Sequence, residues 1–434
     1  MREKKERYLT TPSRVRWLTR AFALSALLSS MSGLQAQISL VNARATAMAG
    51  AYGAISRGAE AVLLAPANLG LRSRPDFSLL LPGAGAHVQN SSFTLDDYRK
   101  YNGAFLDDAD KQALLSKIPS SGLAIAGDAQ AMVLGLSAKK FAVNVTTTGA
   151  SDVNLARDFV ELVMQGNAFG REYRFDGSRG RAWALTRVGF SFGQPIDVVW
   201  IEDLAVGFTF KYVHGWSYAE VVRADGSLIT DFDGLRSDGR LEMRTATGGD
   251  GYAADIGISG KISEQWSFAW KWNNVISGLN WKKDVRIYEY GVTADSITIE
   301  SLSASAADSL YDTYAREYAG EPFRTNLPGQ MRLSAAYKKR SFLLVADYIQ
   351  GFRNAPGVSR KPQLSVGGEY SGLALLPLRA GVAVGGKTGF ATTFGFGLRL
   401  AGFSVNFAAV ASKSVVPSTG PGVGLVFDIK FGVD

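Results

Sequence analysis

Residues 393–409 read TFGFGLRLAGFSVNFAA, and residues 423–431 read VGLVFDIKF. In the first stretch Phe394, Phe396, Leu398 and Leu400 alternate with Thr393, Gly395, Gly397 and Arg399. After Ala401 the order resumes, with Phe403, Val405 and Phe407 against Gly402, Ser404 and Asn406. In the second stretch Val423, Leu425, Phe427, Ile429 and Phe431 alternate with Gly424, Asp428 and Lys430. A period of two is the mark of a strand with two unlike faces. A soluble sandwich would carry its charges on the face opposite its core. Here the long aromatic face carries no charge and the charges fall among the small residues, which suits a strand between lipid and an aqueous lumen.

The same parity holds far upstream. Leu204, Val206, Phe208, Phe210 and Tyr212 face away from Gly207, Thr209 and Lys211, and Trp266, Phe268, Trp270 and Trp272 face away from Ser267 and Lys271. Lys211, Asp255, Lys271, Arg332, Asp347, Glu369, Arg379, Arg399, Asp428 and Lys430 all lie on the polar side of their strands. A charge on the lipid side near the bilayer middle costs about 2–4 kcal/mol, so its avoidance assigns the faces. Fourteen such strands are expected, at Phe77–Val88, Gln130–Ser137, Phe141–Gly149, Ala182–Phe192, Leu204–Trp216, Tyr252–Lys261 and Gln265–Tyr288. The other seven are Gln330–Tyr337, Ser341–Gly351, Pro362–Tyr370, Pro377–Gly385, Ala391–Leu400, Gly402–Val410 and Gly422–Phe431.

Short links alternate with long ones. The short ones are Ala138–Lys140, Ile262–Glu264, Lys338–Arg340, Ser371–Leu376 and Ala401, with Gly193–Asp203 somewhat longer. Gln89–Ala129, Ala150–Arg181, Ser217–Gly251 and Glu289–Gly329 read as long polar loops. Barrels of the outer membrane keep short turns on the periplasmic side and long loops outside. The even strand count then places both termini in the periplasm. Helical patterns occur within the long loops at Asp107–Ile118, Ala150–Gln165 and Ser303–Tyr318.

Composition agrees with an exported, all-β transmembrane barrel. Arg2, Lys4, Lys5, Arg7, Arg14, Arg16 and Arg20 precede an apolar run from Ala21 to about Leu34, the form of a signal peptide cut after Ala36. A retained anchor is the alternative, but the run is too short and too rich in serine to span a bilayer. Removing it takes away seven of 47 basic and two of 39 acidic residues, and the net charge drops from +8 to +3. The basic balance is thus mostly a property of the leader, and no nucleic-acid partner is expected. The chain has no cysteine, 48 glycines, 24 phenylalanines, 16 tyrosines and 8 tryptophans. Without a long apolar helix, a spanning chain must close its sheet, because lipid offers nothing to a free strand edge.

Residues 43–70 read ARATAMAGAYGAISRGAEAVLLAPANLG. This segment resembles the N-terminal signature of the FadL-type and PorV-type barrel superfamily, in which small residues precede an alanine-rich stretch and an Asn-Pro-Ala motif. The matching positions are Ala43, Arg44, Met48, Gly50, Ala51, Tyr52, Ala54, Glu60, Ala61, Pro66, Ala67, Asn68 and Leu69. Ala65 stands where the family has asparagine, so no contact of that side chain carries over. Residues Pro377–Leu400 also resemble late strands of these barrels. The resemblance implies a signal peptide at 1–36, a hatch at 37–75 folded inside the lumen, and a barrel at 76–434. Gly50, Gly53, Pro66, Ala67, Asn68 and Leu69 become candidate hatch or gating residues. A lumen of this strand number is too wide for side chains alone to fill, which gives a plug a physical reason. A loose periplasmic tail is the alternative.

Sites of other kinds find little support. Gly381–Thr388 fits the phosphate-loop pattern, but such a loop needs a following helix, and a glycine-spaced strand follows instead. A tight hairpin is the better reading. With only His87 and His214 and no cysteine, neither a metal centre nor a cofactor is expected, and a serine–histidine hydrolase would need one of those two. His214 beside Trp216 suits an interfacial girdle. Asp231, Asp233 and Asp238 read as a solvated acidic loop rather than a calcium site. Trp266, Trp270, Trp272, Trp281 and Tyr288 read as an interface belt, with a hydrophobic ligand groove as the alternative.

The inward charges Lys211, Asp255, Lys271, Arg332, Asp347, Glu369, Arg379 and Arg399 are expected to form a salt-bridge network that holds the hatch. By resemblance the chain is a non-enzymatic channel of the Gram-negative outer membrane for passive uptake of hydrophobic or amphipathic small molecules. Its partners would be outer-membrane lipid, a hydrophobic ligand and the outer-membrane assembly machinery. The alternatives are a PorV-like accessory barrel that binds protein cargo or a secretion complex, and a structural envelope protein.

Overall fold

The computed structural model describes residues 40–199, 201–298, 311–400 and 402–432. The expected leader, residues 1–36, lies outside them. Fourteen strands form one wall. The first half comprises β1 (Phe77–Leu80, resuming at Gly83–Asn90), β2 (Leu123–Ala138), β3 (Phe141–Leu155), β4 (Arg179–Val198), β5 (Ile201–Asp231), β6 (Gly249–Lys261) and β7 (Trp266–Trp281). The second comprises β8 (Gln330–Lys339), β9 (Phe342–Gly351), β10 (Gln363–Tyr370), β11 (Leu378–Gly385), β12 (Gly389–Leu400), β13 (Phe403–Ser412) and β14 (Gly422–Gly432).

Each strand pairs antiparallel with the next. The last returns to the first, with Ala84 opposite Phe427 and Leu79 opposite Phe431. The sheet therefore closes and leaves no edge in the wall. Phe394, Phe396, Phe407 and Phe427 are exposed on its outside, whereas Thr393, Asn406 and Asp428 are buried within. The fourteen-strand transmembrane barrel read from the alternation is the architecture found. The break in β1 falls at Leu81-Pro82, where proline cannot donate to the ladder.

Several expected boundaries change. Gly193–Asp203 is not an extended link: β4 continues to Val198 and β5 starts at Ile201, with Pro195 paired to Ala205. Gln265–Tyr288 is not one strand, because β7 ends at Trp281 and a separate strand runs from Arg286 to Ile297. Ala150–Gln165 is not one helix, because β3 continues to Leu155 and only Arg157–Gln165 is helical. A helix does form near Asp107–Ile118, at Asp108–Ser116, capped by the Asp107 side chain. Of the candidate Ser303–Tyr318, residues 303–310 lie outside the described residues, and the rest belongs to strand Tyr311–Ala319.

The largest correction concerns the long connections. Ser217–Gly251 and Glu289–Gly329 are not simple polar loops. Beyond the wall, β5 pairs with strand Gly234–Ala246, which pairs with Arg286–Ile297, which pairs with Tyr311–Ala319. Glu172–Arg174 adds to the other side of β5. On Gly234–Ala246 the charged Arg240, Glu242 and Arg244 alternate with Leu241 and Met243. The polarity of these strands conceals a sheet, because neither face packs into a continuous core.

Candidate functional site

Residues 40–71 lie inside the wall. The segment has little regular structure, so its backbone groups need partners from elsewhere. Asn42 caps the short helix Ala43–Ala47, accepting from the Ala45 N–H at 2.7 Å and donating to Glu60 at 3.0 Å. Tyr52 donates its hydroxyl to the other Glu60 oxygen at 2.9 Å. Asn68, wholly buried, donates to the Gly53 and Ser56 carbonyls at 2.9 and 2.8 Å. The bonds to Glu60 and from Asn68 tie the segment to itself across 8 to 18 residues.

Wall side chains supply the remaining partners. Asp347 accepts from the N–H groups of Tyr52 and Gly53 at 3.2 and 3.3 Å, and from Arg332 at 2.5 Å. Arg332 also donates to the Gly50 carbonyl at 2.7 Å. The Thr393 hydroxyl accepts from Ala49 N–H and donates to the Ala47 carbonyl, both at 2.9 Å. Asp428 accepts from the Ala43 N–H, Lys271 donates to the Leu63 carbonyl, and Asp203 accepts from the Arg72 N–H.

One carboxylate is shared among cations of segment and wall. Glu369 accepts from Nε and Nη2 of Arg44 in a two-point pair, at 2.7 and 2.8 Å. It also takes Arg379 at 2.7 Å and Arg399 at 3.4 Å. Lys211 and Lys271 meet on Asp255, at 2.6 and 2.9 Å. Buried charges of this kind require partners, and each of these has one.

The backbone of the segment also touches the wall directly. A Cβ at Gly207 would lie 2.2 Å from the Ala67 nitrogen, and one at Gly381 would lie 2.5 Å from the Met48 carbonyl carbon. Pro66 opens the turn Pro66–Gly70 that brings Ala67 and buried Leu69 to this contact. The glycine at the head of the phosphate-loop look-alike is therefore a place of close approach. Its remainder, through Gly385 and Thr388, is the hairpin between β11 and β12.

Farther along β5 the lumen changes character. Gly207 touches the N-terminal segment, Lys211 lines a cavity of about 190 Å³, and Val213 and Tyr218 belong to an apolar cluster at the end beside the long connections. That cluster joins Leu185, Tyr218, Leu279, Trp281, Val285 and Leu327, with Trp183 and Phe323 packed on it. Trp281 departs from the expected belt. The register of β7 slips between Trp272 and Ile276, but the irregularity takes up two residues and keeps the parity, so Trp281 faces inward like Lys271 and Leu279, at about 1% exposure. Trp266 and Trp272 remain outside, and Tyr288 sits on the external sheet. His214 pairs with Asp250 at 2.9 Å against the Trp216 ring. Asp231 and Asp233 pair with Arg236 at a hairpin tip, while Asp238 is on a strand and not in the loop.

Above the cluster, Glu220 accepts from Arg181, from Arg244 at 2.7 Å and from Tyr218 at 2.9 Å. Burial alone would raise its pKa; these donors outweigh burial and hold it below the ordinary glutamate value. Arg187, Asp128, Asn273 and Asn274, which line the cavity, escaped the sequence reading. Arg187 was legible in principle, because it shares the inward parity of Leu185 opposite Phe190 and Phe192. Asp128 was hidden by a strand placed seven residues too late.

A family model described only as a family of unknown function (DUF5723) matches residues 66–250. No curated protein matches the chain in sequence. Among solved structures, the toluene transporter TbuX of Ralstonia pickettii aligns with a TM-score of 0.51 at 13% identity, over 91% of this chain and 98% of that one. Its fold is that of the FadL-type barrels. The CymD monoaromatic hydrocarbon channel gives 0.51 at 12% identity, over 91% of this chain and 99% of its own. A TodX deltaS2S3 mutant, also a monoaromatic hydrocarbon channel, gives 0.54 at 11% identity, over 90% and 99%. At such identities the FadL-type likeness concerns the course of the chain, and the side chains of the lumen are this protein's own.

Proposed function

We propose that this chain is an outer-membrane channel for passive uptake of hydrophobic or amphipathic small molecules, with residues 37–75 as a hatch inside the barrel of residues 76–434. The observation that carries the reading is the order of the lumen: an aromatic mouth, then a cavity, then a segment held by side-chain contacts. A ligand would leave water at the mouth, enter the cavity and pass when the hatch shifts. Gly50, Gly53, Pro66, Ala67, Asn68 and Leu69 would set the hatch's shape, and Asp347, Arg332, Glu369, Arg379, Arg399, Lys211, Lys271 and Asp255 would hold it. Nothing in this route breaks a covalent bond, so the role is a channel's and not an enzyme's. Among the similar barrels are a toluene transporter and a monoaromatic hydrocarbon channel, which supports the ligand class. An even strand count with short turns beside both ends supports termini in the periplasm.

The test is uptake by cells lacking the gene, together with binding of a monoaromatic hydrocarbon or a detergent to delipidated protein. Reduced uptake and saturable binding are expected. The external sheet favours one second reading, a PorV-like accessory barrel, because its face bearing Leu241, Met243, Tyr288 and Tyr290 stands outside the wall. A delipidated barrel that binds no hydrophobic ligand but co-purifies stoichiometrically with a secretion complex would replace the channel with that role.

A further inference from the structure

The cavity between mouth and hatch carries charged side chains beside its apolar ones. It is lined by Arg187, Lys211, Lys271 and Arg332 and by one carboxylate, Asp128. Two of these lysines share Asp255, and Arg332 pairs with Asp347. Arg187 is different. No carboxylate of the described residues lies within 4.0 Å of it, its Nε is buried without an acceptor, and one terminal nitrogen donates to the Thr148 hydroxyl. A guanidinium in a lumen normally finds a carboxylate or backbone oxygens, because an uncompensated charge away from bulk water is costly. Its planar fork also matches a carboxylate in two parallel hydrogen bonds.

We propose that Arg187 is the anchor of a binding site for a compact organic carboxylate with an apolar body. The Thr148 and Thr146 hydroxyls and the Asn144 amide line the same cavity on the neighbouring strand. Trp183, Leu327, Val62 and Val358 supply apolar surface for the rest of the ligand. The cavity's volume of about 190 Å³ is enough for a single ring, since an apolar cavity of about 150 Å³ can hold benzene. Asp128 borders the same space and repels an anion there. The site therefore binds through an excess of one positive charge, set by the cations Arg187, Lys211, Lys271 and Arg332 against Asp128, Asp255 and Asp347.

This inference rests on the channel reading only for the ligand's way in. It is tested on purified full-length barrel in detergent, by calorimetry and by tryptophan fluorescence, with benzoate as the probe and toluene as its uncharged counterpart. Benzoate is expected to bind saturably and more tightly than toluene. Arg187→Met should weaken benzoate at least tenfold, Arg187→Lys less, and Asp128→Asn should tighten it severalfold. Toluene binding should change little in any variant. Folding of each variant is checked by heat-modifiable mobility, and the opposite signs at 187 and 128 separate recognition from damage to the fold. Benzoate no tighter than toluene, or both substitutions shifting benzoate in one direction, overturns the site. Intact benzoate binding in a protein that fails every uptake assay removes the channel reading and leaves the site standing.

Discussion

Glu369 shows how much a single lumen residue carries. Its carboxylate is buried and neutralises Arg44 of the N-terminal segment together with Arg379 and Arg399 of the wall. Removing its charge leaves Arg44 and buried Arg379 without a counter-ion, a change that costs about 3–5 kcal/mol when a buried pair is broken. Glu369→Gln should therefore lower the urea midpoint of the folded barrel and speed protease cleavage within residues 40–71, with Glu369→Asp intermediate. An unchanged midpoint and cleavage rate would show that Glu369 does not hold the segment. The inward side of Glu369 was readable from the alternation Leu364, Val366 and Gly368 against Ser365, Gly367 and Glu369. Its partner was not. Arg44 is 325 positions away, and a local pattern carries no information on which of several inward charges meet.

At the level of elements, β5 is the informative case. It has 31 residues, where about 9–11 suffice to cross a membrane, so much of it stands outside. The alternation that marks its wall portion stops near Trp216, at a bulge against β4 between Ala184 and Leu185. Beyond that point the residues serve a sheet exposed on both sides, and the hydrophobic period that reveals strands is lost. The charge ladder of Arg181, Glu220 and Arg244 holds this region over the mouth, with Arg244 also 4.0 Å above the Phe323 ring. Because the folded pKa of Glu220 is depressed, its stabilisation is present above the unfolded value and lost as pH falls below the ordinary glutamate value of 4.5. Amide protection in strand Gly234–Ala246, taken relative to the intrinsic exchange rate at each pH, should fall between pH 5 and pH 3, in a window set by that value, and much less in Glu220→Gln, which has already lost the charge. An equal loss of protection in both proteins would assign the effect to another group.

For the molecule as a whole, closure and orientation are separate matters. Closure follows from fourteen paired strands, whereas the side of the membrane is a proposal that rests on where the long connections go. An epitope inserted at the Asp231–Gly234 hairpin should be stained on intact cells, whereas a tag after Asp434 should stain only after the outer membrane is opened. Reversed staining would invert the barrel and move the mouth cluster to the periplasm. The sequence by itself determined the strand count, the lipid face and the inward charges, because each depends on alternation along one strand and on the cost of charge in lipid. Tertiary structure alone decided that the long connections form a sheet and that Arg187 is the cavity cation without a carboxylate. These depend on pairings between distant strands and on how a few buried charges divide their partners.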